Sequence, residues 1–136
     1  MDAMPPKIIT EEIQIVDNSG HPLIVLSGKS GKPAITFLRR DGQQGLALSL
    51  DDAGRPAIKL ANTDATAPTA SLEIDDKGAH VKFDRPGGAS SYLFLNNAGG
   101  SGVVLIDAQG QRRVEILTAP DGTITVSRSG NKETLP

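Results

Sequence analysis

LALSLDDAGRPAIKL, residues 46–60, decides the fold. Leu46, Leu48 and Leu50 alternate with Ala47 and Ser49, Asp51-Asp52-Ala53-Gly54 interrupts, and Ile58 and Leu60 resume the alternation. A period of two places successive side chains on opposite faces of a pleated strand, and an Asp-x-x-Gly segment between two such runs reverses the chain. The stretch reads as a β-hairpin. Further Asp-x-x-Gly segments begin at Asp17, Asp75 and Asp107, so the signal recurs along the chain.

Working outward, apolar pairs two residues apart occur at Ile13/Ile15, Leu23/Val25, Ile35/Phe37, Leu46/Leu48, Ile58/Leu60, Leu72/Ile74, Val81/Phe83, Tyr92/Phe94, Val103/Leu105, Val114/Ile116 and Ile124/Val126. They predict about eleven strands, roughly 11 residues apart, which is room for a short strand and a tight turn. The expected fold class is all-β: short, mostly antiparallel strands in a meander, forming an open, rolled or barrel-like sheet. A β-solenoid and an intertwined trimeric β-prism are the alternatives, and the variable spacing counts against the solenoid, whose coils need constant length. An odd number of antiparallel strands also cannot close into a wholly antiparallel barrel.

Burial selects the register, because a slip of one residue turns every apolar side chain outward. Closing the first hairpin at Asp17 and His21 sets Ile15 opposite Leu23 and Ile13 opposite Val25. Closing at Asp51 and Arg55 sets Leu48 opposite Ile58 and Leu46 opposite Leu60. Both fit a type I turn with a glycine bulge. The Asp75 hairpin requires Leu72 opposite Val81 and the Asp107 hairpin Leu105 opposite Val114, so the loop types are expected to differ. The turn aspartates are read as acceptors for local amides; the fixed glycine-rich nonapeptide of a calcium-binding β-roll is missing.

A chain of 136 residues with 15 Gly and 9 Pro spread along it suits one domain with few long helical windows. Residues 1–10 read as an N-terminal arm, 11–127 as a single β-repeat domain and 128–136 as a C-terminal tail, with Asn62 to Ala70 the longest surface connector. Aromatic residues make up 3% of the chain and Trp is absent, so the core is expected to be aliphatic and thin, with Phe37, Phe83, Tyr92 and Phe94 pointing inward. In the middle of the chain Ser49, Lys59, Ser71, Glu73, His80 and Lys82 form a polar second face. Elsewhere Val16, Ile24, Leu26, Leu38, Leu93, Leu95, Val104 and Ile106 make that face apolar too, and these eight are the candidate self-association surface.

The net charge of −2 with interspersed signs offers no phosphate-tracking surface, so nucleic acid is not an expected partner. Without cysteine there is no thiolate nucleophile or cysteine zinc site, and neither His21 nor His80 sits in a HExxH, GxSxG or P-loop context. Glu73 is expected opposite His80 as a cross-strand charge pair, with a weak metal site as the sharper alternative. Gly87-Gly88-Ala89-Ser90-Ser91 reads as a flexible turn. No catalytic, cofactor-binding or metal residue and no cofactor is assigned. The N-terminus lacks the basic and apolar regions of a signal peptide and no run spans a bilayer, so a cytoplasmic location is the expectation, with assembly-bound or non-classical export as the other routes.

The strand, Asp-x-x-Gly, strand pattern at Asp51 to Arg55 and Asp107 to Arg112 resembles hairpin repeats of bacterial proteins of unassigned function, over most of residues 13–126. It is also similar in style to the β-rich shafts of phage tail spikes and secretion needles, which implies trimers burying aliphatic residues. The irregular spacing departs from those shafts, and the absence of Tyr before Asp departs from YD-type shell repeats. The function expected is a non-catalytic structural or protein-interaction module, self-associating as a homo-oligomer such as a trimer, within a scaffold or appendage. A carbohydrate- or small-ligand-binding β-domain is the alternative.

Overall fold

The computed structural model describes residues 3–129 and 131–135. Its strands are β1 Glu12–Val16, β2 Pro22–Ser27, β3 Ala34–Leu38, β4 Gln44–Leu50, β5 Pro56–Leu60, β6 Thr69–Ile74, β7 Gly78–Asp84, β8 Ser90–Asn96, β9 Ser101–Ile106, β10 Arg112–Thr118, β11 Ile124–Arg128 and β12 Asn131–Leu135. They form one 12-stranded sheet in strict sequence order, every neighbouring pair antiparallel. The sheet is an open meander whose edges, β1 and β12, do not pair with each other. β12 is the addition to the expected count, and it falls in the segment whose polarity reads as tail. An even number removes the parity obstacle to a barrel, yet the sheet does not close.

Seven reversals share one backbone. At Asp17, Arg39, Asp51, Arg85, Asn96, Asp107 and Ala119 the N–H donates to the carbonyl four residues on, and the glycine three residues on donates back, at 2.8–3.2 Å. Those glycines, Gly20, Gly42, Gly54, Gly88, Gly99, Gly110 and Gly122, all have φ between 77° and 123°, where a Cβ would be strained. This is the type I turn with a glycine bulge. Oδ1 of Asp17, Asp51, Asp107 and Asn96 also accepts the N–H groups two and four residues on, at 2.8–3.1 Å. The loop expected to differ at Asp107 therefore has the common geometry. What differs lies in the strands: register shifts leave Leu23, Gly45 and Arg113 as extra residues just beyond three of these turns.

The Asp51, Asp75 and Asp107 hairpins keep the predicted partners, Leu48–Ile58, Leu46–Leu60, Leu72–Val81 and Leu105–Val114. The first hairpin does not. It closes at Asp17 and His21 as expected, but the bulge at Leu23 sets Ile15 opposite Ile24 and Ile13 opposite Leu26. Because the period is two, that single inserted residue exchanges the faces of β2.

Followed strand to strand, register lines up Ile13, Leu26, Ile35, Leu48, Ile58, Leu72, Val81, Leu93, Val103, Ile116 and Val126 in one unbroken row before Glu133. A flanking row on the same side holds Ile15, Ile24, Phe37, Leu46, Leu60, Ala70, Phe83, Ser91, Leu105 and Val114. Among the described residues no second layer covers this aliphatic face. The accessible surface is 9763 Å², against about 6,800 Å² for a compact 14.2 kDa monomer. The only buried apolar residues among those described, Ala47 and Val104, lie on the opposite, mixed face.

The turn carboxylates of Asp17, Asp51, Asp75, Asp107 and Asp121 are held below the usual aspartate range, chiefly by the backbone N–H groups of His21, Arg55, Lys77, Gln111 and Thr123. With the folded pKa below the unfolded one, this stabilisation is complete above about pH 4 and is lost as pH falls through the depressed values. Circular dichroism melts are expected to show the midpoint falling on acidification below about pH 4. Asn at the five positions, which keeps the acceptor but does not titrate, should flatten that fall.

Candidate functional site

The two faces of the sheet are the two candidate surfaces. The aliphatic face is partly exposed along its length: Leu26 and Ile35 are 37% exposed, Leu72 48% and Leu93 57%, while Leu48, Ile58, Val103 and Val126 are more covered. It gathers Ile24, Leu26, Leu93 and Leu95 from the eight candidate association residues. Val104 and Ile106 belong to the mixed face, where Val104 is 1% exposed and so is not available to a partner. Val16 and Leu38, beside turns, alternate onto the mixed face as well. The aromatics are also divided: Phe37 and Phe83 stand on the aliphatic face, 38% and 50% exposed, while Tyr92 and Phe94 are on the mixed face.

The phase of β8 could not be read from its own residues, since SSYLFLN is apolar at both parities. The signal lies upstream, in Arg85-Pro86-Gly87-Gly88. Pro suits the second position of a type I turn and Gly88 the bulge, so closure at Arg85 and Ala89 carries Phe83 to Ser91 and Val81 to Leu93.

On the mixed face, β7 to β10 flank an open groove of about 900 Å³. Two register rows make its floor, His80–Phe94–Gly102–Leu117 and Lys82–Tyr92–Val104–Glu115. A Cβ on Gly102 would come within 2.6 Å of Leu117 Cδ2 and 3.0 Å of Phe94 Cε1, so these side chains close over the glycine. The Tyr92 and Phe94 rings tilt at 44° with centroids 6.0 Å apart. Arg112 ties β8 to β10 across β9. Its Nη1 donates to Glu115 Oε1 at 2.7 Å and its Nη2 to Tyr92 Oη at 3.1 Å, which roofs Val104. The bond to Glu115 raises the guanidinium pKa further above its ordinary value.

Beside the groove, His80 Nε2 lies 3.1 Å from Glu73 Oε2, as the cross-strand register predicts, and His80 Nδ1 lies 3.7 Å from Asp75 Oδ2. Lys59 Nζ reaches the other Glu73 oxygen at 3.4 Å. These are polar contacts at a water boundary, worth little each. Among the described residues no group of three or more His, Cys, Asp or Glu side chains is placed to hold a metal ion. His21 is 3.2 Å from Asp17 in its own turn, far along the sheet from His80. Among the described residues no helix is long and apolar enough to cross a membrane.

No family model matches this chain and no curated protein matches it in sequence.

Gly102→Ala is expected to destabilise the fold by about 1–3 kcal/mol through overpacking. Ser90, at the groove margin, has a buried hydroxyl without a hydrogen-bond partner. Ser90→Ala should therefore be neutral or stabilising, since an unmatched buried hydroxyl costs about 1–3 kcal/mol. Urea titrations of the two variants check both signs.

Proposed function

We propose that this chain is a non-catalytic, self-associating structural module, whose copies bury their aliphatic faces against one another. The row of eleven aliphatic side chains from Ile13 to Val126 carries the reading. Such a row is stabilised only laterally in a lone sheet, and contact with another apolar surface adds roughly 25 cal/mol per Å² removed from water.

Two features favour further copies of this chain as the occupant. Twelve strands at about 4.8 Å make a stripe some 50 Å long, and a copy presents an apolar stripe of equal length and spacing. The surface in excess of a compact monomer, about 3,000 Å², is also the size that obligate interfaces bury. Three copies suit the strand lengths. Strands of 5–7 residues span about 17–23 Å. A triangle with such sides has its centre about 5–7 Å from each, close to half the roughly 10 Å between face-packed sheets. One layer of side chains fills that interior.

Light scattering across a concentration series tests this. The expected result is a constant multiple of 14.2 kDa, three being the favoured multiple. Leu93→Lys with Val103→Lys, adjacent in the central row, should dissociate the assembly, whereas Thr36→Lys on the mixed face should not. A wild-type chain that runs as a monomer and binds no hydrophobic dye would refute the proposal.

A further inference from the structure

The reading above assigns the aliphatic face to self-association, and the inference here rests on it in one respect: the mixed face stays open to solvent. We infer that the groove on that face, between β7 and β10, is a binding site for a neutral oligosaccharide. The register that sends Leu93 and Leu95 to the aliphatic face sends Tyr92 and Phe94 into this groove, where neither serves the association surface.

The chemistry of the groove narrows the ligand. The middle of its floor is apolar, with Tyr92, Phe94, Val104 and Leu117, and its two register rows end in the polar His80, Lys82 and Glu115. A sugar ring has the same composition, with C–H patches that lie on aromatic or aliphatic side chains and hydroxyls around its rim. The strand-borne cations are already neutralised. Lys82 faces Asp84 at 3.3 Å and Arg112 faces Glu115 at 2.7 Å, and the His80 ring lies 3.1 Å from Glu73. With Asp75 and Asp76 at the mouth, the groove offers no excess positive charge to a phosphate or a polyanion.

Hydrogen-bonding capacity remains where a hydroxyl would need it. Tyr92 Oη accepts from Arg112, which leaves its own O–H free to donate. Arg112 and Glu115 form a fixed donor and acceptor side by side, suited to neighbouring hydroxyls of one ring. The groove is an open trough of about 900 Å³, at the upper end of the volumes of ligand sites, so several linked sugar units suit it better than one enclosed small molecule.

The chain supplies its own probe. Tyr92 is the single tyrosine and there is no tryptophan, so intrinsic emission reports on this groove alone. Titrating the 136-residue chain with gluco-, manno-, galacto- and N-acetylglucosamine oligosaccharides should give a saturable change in Tyr92 emission for at least one series. Phe94→Ala and Arg112→Gln should each weaken that binding about tenfold, the loss of one stacking or hydrogen-bonding partner. Arg112→Gln, at the rim, keeps the test informative if Phe94→Ala fails to fold. The inference is overturned if no neutral series gives a saturable change, if an acidic oligosaccharide binds more tightly than its neutral counterpart, or if both variants bind as the wild type does. Light scattering on the same samples separates the two ideas. An assembled protein without sugar binding refutes only the groove, and a monomer that binds sugar refutes only the association.

Discussion

Among the described residues the strands pack chiefly against their sheet neighbours, so the sheet has side chains on two faces but no interior between layers. The physical constraint behind the rest is therefore the phase of the alternation. With a period of two, each strand has one choice of which side chains go to which face, and a row of like residues survives only if every strand chooses consistently. Eleven strands do so here, and the outcome is a run of branched aliphatic side chains across the sheet, with Ser, Ala, Lys, Glu and aromatic groups on the other side.

That consistency is maintained by a single turn used repeatedly. An amide bonded four residues ahead, a glycine at positive φ and, in four cases, an Asp or Asn oxygen accepting two amides make the reversal nearly independent of the strands it joins. Where the sequence does not alternate in step with the turn, one bulged residue restores it. Leu23, Gly45 and Arg113 act in this way, each a residue or two beyond a turn. The longer connector between β5 and β6 is also held by local bonds. Asn62 Nδ2 donates to Pro68 O at 3.0 Å, and Arg39 Nη2 donates to Asn62 O at 2.6 Å.

The division of labour between the faces follows from what each leaves unsatisfied. On the aliphatic face the lack is of contact, which only another apolar surface relieves, and a half-exposed row tens of ångströms long is a larger patch than a free monomer usually carries. On the mixed face Val104 is covered and Lys59, Lys82 and Arg112 each lie within ion-pair distance of a carboxylate. The first is the face on which we propose permanent burial against further copies. The second is the face on which we propose reversible contact with a neutral oligosaccharide.

Much of this was legible in the residues. The first eleven strands, the hairpin at Asp51, the pairings Leu72–Val81 and Leu105–Val114 and the Glu73–His80 pair all follow from alternation, turn chemistry and the requirement that apolar residues face one another. Leu23/Val25 and Tyr92/Phe94 did not follow, because both parities of those strands are apolar and neither hydrophobicity nor propensity prefers one. The sequence by itself determined that the chain alternates and where it turns, since both are local properties of side-chain period and backbone strain. Only the tertiary structure decided which face each doubly apolar strand shows and that the sheet stays open, because phase is inherited through the hydrogen bonds of neighbouring strands and a bulge of one residue is enough to reverse it.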